Sequence, residues 1–69
     1  MNKELNNIAI YVKRTRKQYG LSQEDFALRC GVGLRFLRDL EQGKTNLNMK
    51  KVILVLDSLN ADLVAVERK

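Results

Sequence analysis

Apolar positions recur with a helical period in the first part of the chain. Four apolar positions recur at spacings that place them on one side of a helix: Leu5, Ile8, Val12 and Tyr19. Basic residues occupy the positions around them. Gly20 follows directly, and glycine often ends a helix because it adopts the left-handed backbone conformation without strain. The pattern therefore predicts a first helix over residues 5–19.

Two short helices are predicted next, separated by the tripeptide Gly-Val-Gly. Ser22 precedes the second helix as its N-cap, and Gly31 closes it. Gly33 is an acceptable N-cap for a third helix, which ends at Gly43. The short separation means that the third helix begins within one turn of the end of the second.

A fourth helix is predicted after the polar loop that follows Gly43. Asn48 is its N-cap, and Leu47 is placed to pack on Val52 as a hydrophobic staple. Asn60 is the predicted stop. The inward positions of the third and fourth helices supply the predicted core: Leu37, Leu40, Val52, Leu56 and Leu59.

The C-terminal segment has a different pattern, because its apolar residues are consecutive and β-prone. We expect a strand of four to five residues within 62–67. A lone strand is not stable, so it needs a partner, most simply its own copy in a second subunit. The residues expected to mediate this dimerisation are Leu63, Val64, Ala65 and Val66. The predicted architecture is thus an all-α, compact domain of four to five helices with a short C-terminal β-strand pairing across a dimer.

The length and the cysteine count also favour a dimer. A chain of 69 residues forms one domain, and domains of this size often need a disulfide, a metal or a second subunit. One Cys and no His exclude an internal disulfide and common zinc sites, so we expect a homodimer. We interpret Cys30 as a buried structural thiol. Without His, no nucleophile and base can be assembled, so we expect no enzyme activity and no cofactor.

The net charge of the chain favours a polyanionic partner. The net charge is +5, and the pI is about 9.7. Nucleic acid is the favoured class of partner, and an anionic membrane or an acidic protein is the second choice. The apolar runs are too short to span a bilayer and the N-terminal residues carry charges unlike a signal peptide, so we expect a cytoplasmic protein without a membrane partner.

The two short helices with a three-residue turn have the layout of a helix-turn-helix. The segment from Ile8 to Asn60 resembles the Xre family of phage-repressor-like helix-turn-helix domains. The most specific matches are Gln23, Ala27, Gly31 and the stretch "LEQGK" from Leu40 to Lys44. The resemblance implies a DNA-binding core over about residues 8–60 of a single domain, 1–69.

Within that family the C-terminal segment "KVILVLDSLNADLVAVE" is most similar to the HipB-type antitoxins. This resemblance implies a repressor that binds double-stranded DNA at a palindromic operator, regulates its own operon and neutralises a HipA-type kinase toxin. Two alternatives stay open. One is a free-standing Xre-type regulator without a toxin, and the other is an adaptor that binds protein through the surface of the third helix.

The family's DNA contacts can be carried over position by position. The third helix lies in the major groove, and the resemblance implies base contacts from Gly33, Leu34, Arg35, Arg38 and Asp39. It implies phosphate contacts from Arg16, Gln23, Lys44 and Thr45. Arg35 suits this role because its guanidinium can bond both O6 and N7 of guanine. Lys13, Arg14 and Lys17 are expected to add general positive potential.

Three residues of the third helix depart from the family pattern. Gly33 stands where Ser or Thr usually caps the helix, and Leu34 stands where a polar base reader is usual. Phe36 is large for its position, and it either packs against the first helix or enters the interface with a partner or toxin. Glu41 falls where the family pairs a carboxylate with an arginine from the preceding helices, which predicts a structural ion pair.

Overall fold

Four helices form the part of the chain that the structure, a computed structural model, describes, namely residues 3–65 and residue 67. They are α1 (Lys3–Gln18), α2 (Gln23–Cys30), α3 (Leu34–Glu41) and α4 (Met49–Ser58). α3 packs against α1 and α2, and α2 also packs against α4. The predicted all-α fold and the number of helices are confirmed. Within the described ranges, no helix is long and apolar enough to cross a membrane.

The ends of the helices follow the local signals in the sequence. The Ser22 hydroxyl accepts a hydrogen bond from the Asp25 amide at 3.0 Å, and the Asn48 side chain accepts one from the Lys51 amide at 3.2 Å. Gly33 precedes α3 in an extended conformation without a side-chain cap. The three predicted N-caps are confirmed, since each depends only on residues within one turn.

The core lies where the buried faces of all four helices meet. The side chains with almost no exposed surface are Val12, Leu37, Leu40, Val52 and Val55. All five predicted core residues are buried. Tyr19 is not on the buried face, because α1 ends one residue earlier and 63% of the tyrosine is exposed. Arg16 lies on the buried side of α1 instead.

Cys30 ends α2 inside this core, as predicted for a structural thiol. Burial raises the pKa of the Cys30 thiol above its ordinary value, and a hydrogen bond with Ser58 acts in the opposite direction. A raised pKa leaves little thiolate at neutral pH, so the side chain behaves as a small apolar group.

The predicted C-terminal strand is not formed in the single chain. Residues 61–65 and 67 have no regular secondary structure, and Val66 lies outside the described residues. The physical reason is that a strand is defined by hydrogen bonds to a neighbouring strand, and the described residues of one chain provide none. The helix stop is confirmed, because Asn60 has a φ of 57° and the Ala61 amide bonds the Leu56 carbonyl at 2.9 Å.

Candidate nucleic-acid interface

The turn between α2 and α3 is three residues long and tightly fixed. Gly31 has a φ of 75°, a left-handed conformation that favours glycine. The next amide, that of Val32, bonds the Ala27 carbonyl at 3.1 Å, and the Val32 side chain packs on the core. This turn sends the chain in a new direction immediately after α2, so that α3 lies across it with one face free.

The five residues predicted to contact bases lie together at the start and along the outer side of α3. Arg35 and Arg38 are exposed, while Leu34 and Asp39 are partly exposed. Because Arg35 and Arg38 are three residues apart, they lie on one side of α3, with Arg35 opposite the buried Leu37 and Arg38 opposite the buried Leu40. The helix therefore presents two guanidinium groups on an exposed face, while its opposite side is anchored in the core. Gly33, which provides no side-chain cap, precedes this face.

A buried ion pair fixes α3 from its C-terminal end. The Arg16 Nε donates to Glu41 Oε2 at 2.7 Å, and its Nη2 donates to Oε1 at 3.0 Å. The remaining Nη1 donates to the Leu21 carbonyl at 2.7 Å, and Gln23 Nε2 donates to Glu41 Oε1 at 3.1 Å. The cluster thus links α1, the start of α2 and the end of α3.

This geometry gives a structural role to one of the residues predicted to contact phosphate. Arg16 is only 6% exposed, and all three guanidinium nitrogens donate within the chain. It therefore has a structural role, and little of its surface is left for the predicted phosphate contact. The ion pair predicted for Glu41 is confirmed. The sequence singled out Arg16 as a candidate, but the burial of its side chain depends on Glu41, which lies 25 residues further along the chain.

A second ion pair lies at the edge of the exposed α3 face. The Lys44 Nζ is 3.1 Å from Asp39 Oδ1, and both side chains are partly accessible to solvent. Asp39 would otherwise repel a phosphate, so the lysine lowers the cost of a carboxylate on this face. Thr45 is exposed in the same loop, and Gln23 lies half-buried at the first position of α2.

Phe36 and Leu34, which depart from the family pattern, have different surroundings. Phe36 packs against the core, and the Lys51 Nζ from α4 lies 5.8 Å from the centre of its ring. That distance is within the range of a cation–π contact. Leu34 is half-buried, and it is not among the side chains of the described residues that pack against the core. Packing therefore explains Phe36 and leaves Leu34 on the accessible surface.

Two lysines at the start of α4 were missed as candidates by sequence reasoning. Lys50 and Lys51 are exposed in the first turn, and neither α3 nor α4 has an acidic residue there. The positive end of the helix dipole disfavours cations at such positions. A cation placed against this preference suits a site that receives an anion. The signal was visible in the sequence, since both lysines follow the N-cap Asn48 closely.

Comparisons with known proteins agree with this arrangement. Residues 12–66 match the HTH_3 family model, described as helix-turn-helix. The chain is 40% identical over 57 residues to an uncharacterized HTH-type transcriptional regulator, y4mF, of Sinorhizobium fredii (strain NBRC 101917 / NGR234), covering 83% of this chain and 75% of that protein. A solved structure named MDT Protein has the same fold, with a TM-score of 0.79 at 20% identity over 100% of this chain and 97% of that one.

The fold and the α2–α3 unit define a helix-turn-helix domain. The match over residues 12–66 and the identity to the Sinorhizobium protein assign the family: the chain belongs to the Xre-type helix-turn-helix family.

Proposed function

We propose that this protein is a transcriptional repressor that binds a palindromic DNA operator as a homodimer, with α3 in the major groove. The observation that carries the proposal is the protruding face of α3, on which Arg35 and Arg38 are exposed while Leu37 and Leu40 are buried behind them. Membership of the helix-turn-helix family supports DNA as the ligand, and so does the net charge of +5.

Base reading is assigned to the N-terminal half of α3. Arg35 bonds O6 and N7 of a guanine, and Arg38, one turn further on, bonds a neighbouring base or phosphate. Leu34 contacts a thymine methyl group, which fits its partly exposed apolar side chain. Asp39 accepts from a cytosine amino group or orients Arg35, and the backbone at Gly33 approaches the DNA closely.

Phosphate contacts from the surrounding elements fix the register of α3 on the duplex. Gln23, Lys44 and Thr45 retain this role, because each is at least partly exposed around the α3 face. Lys50 and Lys51 add to it from the start of α4. Arg16 contributes indirectly, by holding Glu41 and thereby the end of α3.

Dimerisation is assigned to the C-terminal segment, which is exposed in the single chain. Val64 is 75% exposed and Leu63 is 45% exposed, and the exposed α4 residue Ile53 lines the same depression as Leu63. Pairing of residues 62–67 with a second copy would cover these apolar side chains and supply the missing ladder hydrogen bonds. A two-fold dimer places its two α3 helices about 34 Å apart, in successive major grooves.

Selection from random duplex DNA with the purified protein tests this function. Enriched sequences should contain two inverted half-sites whose centres are about 10 bp apart, each with a G·C pair at one position read by Arg35. Recovery of unrelated sequences without inverted symmetry, at an affinity equal to that for bulk DNA, would exclude a sequence-specific dimeric repressor.

We further propose that the repressor is the HipB-type antitoxin of a HipA-type kinase and regulates its own operon. The similarity of the C-terminal segment "KVILVLDSLNADLVAVE" to those antitoxins supports this assignment. The test is the adjacent open reading frame: a kinase encoded there should co-purify with this protein and lose activity. If that frame encodes no kinase, the protein is a free-standing regulator.

The partly exposed Leu34 favours a second candidate, an adaptor that binds a protein through α3. DNA selection and co-purification separate the two functions. An adaptor would enrich no DNA sequence, and Leu34→Ala would weaken its protein complex without changing the affinity for DNA.

A further inference from the structure

The outer side of α1 carries a second basic surface, separate from the α3 face. We define this α1 outer face as Ile10, Lys13, Arg14, Lys17 and Gln18, which line a shallow depression of about 530 Å³. All five residues are exposed, and Ile10 has 59% of its surface accessible. None of them belongs to the helix-turn-helix contacts proposed above.

No ion pair among the described residues neutralises the positive charge of the α1 outer face. Residues 7–18 contain no Asp or Glu, and the ion pairs of the described residues involve Arg16 and Lys44 instead. Lys13 and Lys17 are one turn apart, where like charges repel and destabilise a helix. An ordinary solvated helix face would carry acidic residues at these spacings. Because this face has none, an anionic partner would relieve the repulsion between the two lysines.

The position of the face makes it available while α3 is occupied. α1 packs against α3 through its opposite side, on which Val12 and Arg16 are buried and Arg16 reaches Glu41. The outer faces of two helices that pack together in this way point away from each other. A ligand on α1 therefore need not compete with DNA on α3.

The chemistry of the α1 outer face selects a protein over a nucleic acid. Ile10 lies among the aliphatic stems of the neighbouring basic side chains, so most of the depression is lined by hydrocarbon with charges at its rim. A phosphate backbone has no apolar group to place on Ile10. An acidic amphipathic helix does, since its apolar side chains can cover Ile10 while carboxylates one turn away reach the lysines.

We propose that the α1 outer face is a docking surface for an acidic amphipathic helix of a partner protein. The distance from Ile10 to Lys17 along α1 is about 10 Å, which matches two turns of such a helix. The proposal goes beyond DNA binding, because it assigns a second surface that is accessible in the DNA complex. The charge complementarity gives specificity, and Ile10 provides the apolar centre.

The test uses a fluorescein-labelled 14-residue peptide of Leu, Glu and Ala, with leucines at helical i, i+3, i+4 and i+7 spacing, and a scrambled peptide of the same composition. Binding is measured by anisotropy and mapped by amide chemical shifts in the full chain. We expect shifts at Ile10, Lys13 and Lys17, and binding that persists when the protein is saturated with a 20-bp duplex.

Two charge-reversal variants provide a matched comparison. Lys13→Glu with Lys17→Glu should weaken peptide binding by at least about tenfold, because like charges then face each other across the contact. Lys50→Glu with Lys51→Glu changes the net charge equally at a different surface and should leave peptide affinity within about twofold. Both pairs are exposed, so both variants are expected to fold.

Any of three results would overturn the proposal. Equal affinity for the scrambled peptide would reduce the effect to general attraction of acidic chains. Equal losses in the two variants would place the peptide elsewhere. Displacement of the peptide by the duplex, with DNA-induced shifts at the α1 outer face, would assign this face to nucleic acid.

Discussion

A single carboxylate at the end of α3 connects the stability of the domain with the position of the helix proposed to read DNA. Glu41 accepts hydrogen bonds from Arg16 and Gln23, and its side chain is almost fully buried. A buried charge of this kind is tolerated only while its partner is present. The orientation of α3 therefore depends on two residues that need not contact DNA themselves.

Glu41→Gln tests this dependence. The substitution keeps the size of the side chain but leaves the Arg16 guanidinium buried without its counter-charge, so the free energy of unfolding should fall by about 3–5 kcal/mol. Urea unfolding followed by circular dichroism measures the loss. Asp39→Asn is the control, because that partly exposed ion pair contributes at most about 1 kcal/mol. Equal effects of the two substitutions would exclude a special role for the buried pair.

The helix boundaries were predictable because the signals for them are local. Ser22, Asn48 and Gly31 each act through hydrogen bonds or backbone angles within one turn, and the structure places each as expected. The burial of Arg16 was not predictable in the same way, since it depends on the tertiary approach of α1 to α3. Likewise, Tyr19 follows the helical spacing but lies beyond the last residue that the core can cover.

Gly33 is a weak point of α3 that can be repaired. It caps the helix in an extended conformation with a φ of −72°, and a Cβ added there meets no atom within 4 Å. Gly33→Ser should therefore be accommodated, and its hydroxyl can accept a bond from the first turn. We expect Gly33→Ser to exceed Gly33→Ala in stability by about 1 kcal/mol, measured by thermal unfolding. Equal stability of the two would mean that the serine does not cap α3.

At the scale of the whole molecule, one folded chain would present half of the proposed operator-binding dimer. The apolar tail and α4 leave Leu63, Val64 and Ile53 accessible to solvent. The tail was the part of the fold least determined by sequence, because a strand forms only against a neighbouring strand, and the described residues of one chain provide none.

Removal of residues 62–69 tests the dimer. The last of the four helices ends at Ser58, and the hydrogen bond from the Ala61 amide to the Leu56 carbonyl is retained, so the truncated chain should still fold. Its dimer dissociation constant in sedimentation equilibrium should rise, and its operator affinity should fall with it. The point variant Val64→Lys is expected to act in the same direction. An unchanged dimer in both variants would exclude tail-mediated pairing.

The charge of the whole molecule predicts a strong dependence of DNA binding on salt. Each phosphate neutralised releases counterions, so the logarithm of the affinity falls linearly with the logarithm of salt concentration. Lys44→Ala should reduce the slope by about one unit per protomer and weaken binding to all sequences alike. Titrations at several salt concentrations measure this. A selective loss at one sequence would instead assign Lys44 to base reading.

Arg35 provides the most direct test of the central claim, that the exposed face of α3 reads DNA bases. Arg35→Ala should cost about 1–3 kcal/mol of binding free energy at the selected operator and relax the preference at one base pair in each half-site, with little change for non-specific DNA. Anisotropy titrations with the operator and with a single-base variant measure both effects. Unchanged affinity and unchanged discrimination at that position would contradict the assignment of α3 as the reading helix.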